Sequence, residues 1–303
     1  MKHDTIQIDQ ALPENFFRIL NGQLDEISGH CVNHDEIHTS IHEIRKGFKW
    51  VRAVLRLIRD AVGYSTYYRE NIFYRDLARL FSRARDYEVL LYSFKILVKR
   101  YPADLDRALS AALLQHFERL RDRYLEELME GRDPFLTVLN ELDEARKRIG
   151  YFTYRSHDFS GIRKGIGRIY RQGRKLKKTV TRNFTPVQFH NFRKRTKYLY
   201  HQIELLEKMY SPTLKGYAKS IKDLSDHLGD HRDLYQLEQY LKRHRIKGLI
   251  GQKKENILQL VHFEQAIIYD RAMKLADLVY AEKPAMFMDR MESYWNTTLN
   301  HNK

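Results

Sequence analysis

The sequence predicts an all-α protein assembled from two copies of one helical unit. Three observations carry this. Nearly every segment of the 303 residues spaces its apolar positions near a period of 3.6, and none alternates with the period of 2 that a strand needs. Only six prolines and fourteen glycines punctuate the chain, which leaves room for long helices. The stretch Ile41-His42-Glu43-Ile44-Arg45-Lys46-Gly47-Phe48-Lys49 returns 148 residues later as Phe189-His190-Asn191-Phe192-Arg193-Lys194-Arg195-Thr196-Lys197.

Pro13 opens a first helix at Glu14-Asn15-Phe16-Phe17, and Gly22 and Gly29 weaken its end. Ser40 can cap a second helix running to about Asp60, followed by a turn at Gly63 and Ser65. A third stretch spans about Thr66 to Arg100, with room for one break, until Pro102 stops it. A helix from about Asp104 to Glu130 ends at Gly131-Arg132-Asp133-Pro134, the clearest break in the first half. An amphipathic segment from Phe135 to Ile149 and a connection from Gly150 to Gly161 complete it. The second half repeats the plan: Ile162 to Arg182, Thr185-Pro186 to about Met209, and Ser211-Pro212 to about Arg245. A turn at Gly248 and Gly251 leads into a long helix ending near Tyr280, then Lys283-Pro284 and a short segment with Trp295. A second match, Leu77 to Asp86 with Leu224 to Asp233 at an offset of 147, extends the repeat. The halves are therefore set at 1–150 and 151–303, each a small antiparallel bundle.

Charge speaks about partners. The 54 Lys and Arg against 39 Asp and Glu give a net charge of +15, which suits nucleic acid, polyphosphate or an anionic membrane surface. One cysteine, Cys31, excludes an internal disulfide and a cysteine-built metal site, and fits a reducing compartment. Met1-Lys2-His3-Asp4-Thr5-Ile6-Gln7 lacks the apolar core of a secretory signal, and no apolar run approaches a bilayer-spanning length. The expectation is a soluble cytoplasmic protein without a membrane role.

The cations are arranged. On a helix, His42, Arg45, Lys46, Lys49, Arg52 and Arg56 fall within an arc of roughly 120°, opposite Ile44, Phe48, Val51, Leu55 and Ile58. Like charges at i,i+4 repel, so a one-sign face lowers stability unless an anion offsets it. From Gly161 to Tyr200 there are thirteen Lys and Arg and no Asp or Glu. There Lys164, Arg168, Arg171, Lys175 and Lys178 share a face, and the next helix carries His190, Arg193, Lys194 and Lys197. Arg75, Arg79 and Lys222 extend the candidate set. Parallel cationic rows on adjacent helices make a groove that suits a chain of phosphates through forked Arg and point-charge Lys contacts. The paired histidines are expected near helix N-termini, where free N–H groups attract anions. Arg45, Lys49, Arg193 and Lys197 are expected to face away from the core. Asp86 and Asp233, in the recurring Arg85-Asp86 and Arg232-Asp233, are read as structural groups that orient a neighbouring cation.

The sequence resembles the conserved histidine α-helical domain, or CHAD, family. The first half is similar at His42-x-x-Arg45-x-x-x-Lys49-x-x-Arg52, at Leu77-Ala78-Arg79-Leu80 and at Arg85-Asp86-x-x-Val89-Leu90-Leu91. The second is similar at His190-x-x-Arg193-x-x-x-Lys197 and at Leu228-Gly229-Asp230-His231-Arg232-Asp233, with Gly167 to Lys175 also typical. The resemblance covers about residues 12 to 280. It implies two four-helix bundles related by a pseudo-two-fold axis, with inorganic polyphosphate bound in a basic cleft or pore where they meet. It also implies recruitment to polyphosphate granules. Two departures stand out: Tyr200 replaces a frequently basic residue, and Asp226 stands opposite Arg79.

Some relatives carry a triphosphate-tunnel catalytic domain, but no Glu-x-Glu-x-Lys strand and no Gly-rich P-loop occurs here. The chain therefore reads as a non-catalytic binding module without a cofactor. His30, His34, His38 and His42 recur every four residues, yet Gly29 and Thr39-Ser40 suggest that the run crosses a helix–helix connection, so no metal site is assigned. The competing functions are nucleic-acid binding, which +15 favours at low salt, and docking of an acidic protein in the same groove. No helix-turn-helix, zinc-finger or RNP-like pattern supports the first.

Overall fold

The computed structural model describes residues 4–131 and 133–301; Met1 to His3 of the N-terminus read above, and Arg132 within the mid-chain break, lie outside the described residues. The described residues are all-α. The helices are α1 (Leu12–Val32), α2 (Ile37–Leu57), the short α3 (Arg59–Val62), α4 (Tyr64–Leu80), α5 (Ser82–Arg100), α6 (Arg107–Glu130) and α7 (Pro134–Gly150). Then come α8 (Ser160–Arg182), α9 (Pro186–Leu205), a 3-10 turn at Glu207–Met209, α10 (Ser211–Arg243), α11 (Gly251–Val279) and α12 (Pro284–His301). α1 opens at Leu12 and α8 at Ser160, the same spacing that separates His42 from His190.

Local chemistry sets most boundaries. Asp106 caps α6 by accepting from the Leu109 N–H at 2.7 Å, Asp133 caps α7 through Phe135 N–H at 2.8 Å, and Thr185 caps α9 through Gln188 N–H at 3.2 Å. Prolines in the first turn of α1, α7, α9 and α10 remove an N–H that would have had no helical partner. Gly63 precedes α4 with a φ of +85°, which favours glycine. Ser40 is not the cap expected of it: α2 starts at Ile37, and the Ser40 hydroxyl donates to the Asn33 carbonyl at 3.3 Å. Gly22 and Gly29 lie inside α1 and do not end it.

The repeat is imperfect where its two copies meet the core. Leu77 to Asp86 crosses a break at Phe81, which turns fully inward against Phe135 at 5.2 Å. The equivalent Leu224 to Asp233 lies within the single unbroken helix α10. The C-terminal segment, expected to be short, is the helix α12, seated through Phe287 stacked on Tyr170 at 4.0 Å.

The buried side chains do not divide at residue 150. A large core joins α1, α2, α4 and α7 to α8, α9, the first half of α10 and α12. A second core joins α5 and α6 to the last turns of α10 and the first half of α11. Gly165 of α8 shows how closely the halves meet, since a Cβ there would lie 1.9 Å from the Leu57 carbonyl oxygen of α2. Gln202 of α9 also donates to the Ala53 carbonyl of α2 at 3.2 Å. As a result α2 and α9, the two motif helices, are held side by side.

Candidate functional site

Four helices enclose the site. α2 packs on α9, α9 on α10, α10 on α5, and α5 on α2, so they close a ring. The apolar faces of α2 and α9 point away from it into the larger core: Ile44, Phe48, Val51, Leu55, Phe189, Phe192 and Leu199 are each no more than 2% exposed. The remaining face of each helix turns to the shared seam. Arg45 and Lys49 come from α2, Arg193 and Lys197 from α9, Arg85 from α5 and Arg232 from α10.

Lys49 lies at the electrostatic centre. Burial, then Arg45, Arg193, Arg85 and Lys197, push its ammonium down to about 7. Burial also lowers Arg45, Arg193 and Lys197. All four side chains are half-buried, so the expectation that they face away from the core holds only in part: they leave the apolar core yet face neighbouring helices rather than open water. Arg193 lies along α10 beside Gly229, its Nε 3.6 Å from where a Cβ there would sit, an ordinary contact distance. Arg45 donates to the Ala78 carbonyl at the end of α4. Even so, Arg45 Nε, Arg193 Nε and His190 Nδ1 are buried with no hydrogen-bond partner within the protein. Buried donors of this kind lower stability by about 1–3 kcal/mol each until something accepts from them.

The histidines lie near helix N-termini, as expected, though just past the first turn rather than at its free N–H groups. His42 is the sixth residue of α2 and His190 the fifth of α9, one or two positions past the four N–H groups that lack a helical partner. Burial and the surrounding cations lower both, His42 beside Arg85 and His190 to about 4 beside Lys194, Arg232 and Arg193. Both are therefore neutral at pH 7 in the free protein, and a bound polyanion would draw protons onto them.

The recurring aspartates flank the seam. Asp86 acts on Arg45 and accepts from Gln236 at 3.3 Å. Asp233 acts on Arg193; burial raises its carboxyl, and Arg193, Arg85, Lys49 and Arg232 oppose the rise.

Other sequence candidates lie apart from this centre. Arg52, Arg56 and Lys194 continue the row along α2 and α9: Arg52 donates to Asn71 at 3.1 Å, and Arg56 stacks over Tyr198 at 4.1 Å. Arg56 shares a recess of about 120 Å³ with Arg59, Arg168 and Arg195. Lys164 and Arg171 instead line a recess with Arg163 and Met288 of α12, and Lys175 is exposed on α8. Arg168 lines both recesses, so the α8 row reaches the Arg56 and Arg195 recess through Arg168, and none of its cations is among those that act most strongly on Lys49. Arg168 is also bound to Asp60 at 2.8 and 2.5 Å. Lys46 pairs with Glu43 at 3.1 Å, Arg75 and Arg79 with Asp76 at 2.8 and 3.1 Å, and Lys222 with Asp226 at 2.7 Å. These surface pairs contribute little to stability and temper the local charge. At the departures, Tyr200 donates to Glu204 at 3.0 Å and lies 4.9 Å beneath Lys197.

Sequence reasoning missed Arg85, Arg232 and Arg195. Arg85 and Arg232 recur at the repeat offset, which was signal enough, but each was read as the partner of its aspartate. Arg195 lies roughly 150° round α9 from the centre of the expected face, and it lines its recess beside Arg56 and near Tyr198.

The histidine ladder does not form. α1 ends at Val32 and α2 begins at Ile37, so His30 and His34 lie on different elements from His38 and His42. His34 stacks on Phe135 at 4.3 Å, and His38 faces Glu88 at 3.6 Å. Among the described residues no group of three metal-ligating side chains converges, and no helix is long and apolar enough to cross a membrane.

A family model for the CHAD domain matches residues 18–242. Among solved structures the chain is similar to the crystal structure of the CHAD domain from the plant Ricinus communis. Identity is 20% and the TM-score 0.59, with 96% of this chain and 94% of that chain covered. At that identity the likeness shows the fold. No curated protein matches.

Proposed function

The chain belongs to the CHAD domain family, and on that premise we propose that it binds inorganic polyphosphate, without catalysis, in the seam enclosed by α2, α5, α9 and α10. The carrying observation is Lys49, held among Arg45, Arg193, Arg85 and Lys197 beside buried donors that lack partners. Such a cluster is unstable when empty and strongly attractive to anions, because both desolvation and mutual repulsion are relieved by a ligand rich in negative oxygens. Flexibility narrows the ligand: a base-free chain of phosphates can follow half-buried cations along a helix seam, whereas a rigid duplex meets only side chains that protrude from the surface. The carboxylates at hand, Asp86 and Asp233, bear on arginines, which supports a binding role rather than acid–base chemistry. Recruitment to polyphosphate granules would be the cellular counterpart.

The test is calorimetric titration with long-chain polyphosphate at about 150 mM salt, with duplex DNA of matched charge as competitor, since counterion release weakens non-specific DNA binding steeply with salt. Tight binding that DNA fails to displace is expected. Preference for DNA would move the reading to nucleic acid, and weak binding to both would leave the acidic-partner reading. A tagged copy that stayed diffuse in granule-containing cells would contradict the granule assignment.

A further inference from the structure

A groove of about 470 Å³ lies between α5 and α10, beside the seam and sharing Arg232 and Asp86 with it. That volume falls within the usual range for small-molecule sites, roughly 300–1,000 Å³. Three cations line it, Arg83, Arg232 and Arg243, together with three tyrosines, Tyr87, Tyr235 and Tyr240. The rings are already fixed. Tyr240 is stacked on His244 at 4.0 Å with 14° between planes, and its hydroxyl meets His116 Nε2 at 3.1 Å. Tyr87 leans on Tyr124 at 5.6 Å, and the Arg232 guanidinium lies 5.3 Å over Tyr235. The side-chain amides of Gln236 and Gln239 line the same groove.

Bare phosphate alone does not account for this lining. Much of it is aromatic, and the Asp86 carboxylate would repel a phosphate chain lying along the groove. Aromatic rings and guanidinium planes suit a nucleobase, whose stacking is typically worth about 1–3 kcal/mol. Glutamine amides and a carboxylate suit its hydrogen-bonding edge. Arg232 connects groove and seam: it lines the first and acts on His190 and Arg193 in the second.

We propose that the α5–α10 groove seats the nucleoside of a nucleoside oligophosphate, whose phosphate tail passes Arg232 into the cationic seam. The tail rests on the polyphosphate reading; the nucleoside seat rests on the groove alone. The volume suits one nucleoside, so a small molecule is favoured over a single-stranded nucleic acid.

The experiment compares ATP and GTP with inorganic tripolyphosphate by calorimetry, on the full chain, without divalent metal. At least one nucleotide is expected to bind about 10-fold more tightly than tripolyphosphate, although tripolyphosphate carries more charge per phosphate. Tyr235→Leu is expected to remove that advantage and leave tripolyphosphate binding unchanged. Tyr87→Leu provides the same comparison from α5 should the first variant misfold. Nucleotides that bind no better than tripolyphosphate, or an advantage that survives both variants, would overturn the seat. A single-stranded oligonucleotide that binds far more tightly than any mononucleotide would overturn it too. Long-chain polyphosphate, titrated in parallel, separates the two ideas: if it binds while nucleotides show no advantage, only the nucleoside seat falls.

Discussion

Reversing charge at Arg45 and Arg193 together is expected to weaken long-chain polyphosphate binding by about 1,000-fold or more while the protein stays folded. A hydrogen bond to a charged group is typically worth about 1.5–3 kcal/mol, and reversal replaces two such attractions with repulsion. The two arginines enter the seam from α2 and α9 with partnerless buried Nε atoms, so a ligand gains most from them. Folding should survive because Arg85 acts on both positions and offsets the repulsion that a new carboxylate meets from Asp86 or Asp233. Charge alone is controlled by reversing Lys99 and Lys283, which are exposed at the end of α5 and just before α12. That variant has the same net charge and should bind within about 3-fold of the native chain at 150 mM salt, where the Debye length is about 8 Å. Equal losses in both variants would mean that binding follows net charge and not the seam.

Replacing Lys49 with Met is expected to move stability and binding in opposite directions. The ammonium stands at about 7 in the folded protein and ordinarily near 10.4 when the chain is unfolded. Between those values the unfolded chain holds a proton that the folded one lacks, so for this group stability rises with pH across about 7 to 10. Below pH 7 the folded protein must carry the cation among four others. The shift is worth several kcal/mol in principle. Solvent reaching the half-buried chain reduces that to on the order of 2 kcal/mol. Lys49→Met should therefore raise the apo Tm by about 4 °C at pH 6.5 and flatten the rise in stability toward pH 9. The same change should weaken polyphosphate binding about 10- to 100-fold by removing one charged contact. In the native chain at pH 8, binding should draw close to one proton from solution, visible as a buffer-dependent enthalpy. Lys49→Met should remove most of that uptake, leaving only what His42 and His190 take up. A variant that is less stable than the parent, or uptake undiminished in it, would show that the seam cations are not under strain.

Much of this was legible in the sequence because the repeat carries it. The recurrence of His-x-x-Arg-x-x-x-Lys at a fixed offset marked α2 and α9 as equivalent, and their apolar stripes oriented both helices correctly. Periodicity along one helix does not show which helix it faces, however. The α8 row is as regular as the α9 row, yet its Lys164 and Arg171 meet α12. Exposure was misjudged for the same reason. A cationic face resembles a solvated one in sequence, whereas closing the α2–α9–α10–α5 ring half-buries it and leaves the histidines neutral. Arg85 and Arg232 were hidden by their neighbours, since an Arg-Asp pair looks self-satisfied until folding turns the guanidinium toward a different element. The break at Phe81 depends on a contact with Phe135 that no local pattern encodes.

The central claim is that the seam itself is where polyphosphate sits. Amine acylation of each lysine at pH 8, with and without saturating long-chain polyphosphate, tests it most directly, because Lys49 is largely uncharged there and reactive when the seam is empty. Modification of Lys49 and Lys197 should slow at least 10-fold in the complex, with Lys99 and Lys283 unchanged. Protection confined to Lys164 and Lys175 on α8, with Lys49 and Lys197 still reactive, would place the ligand elsewhere and contradict the account.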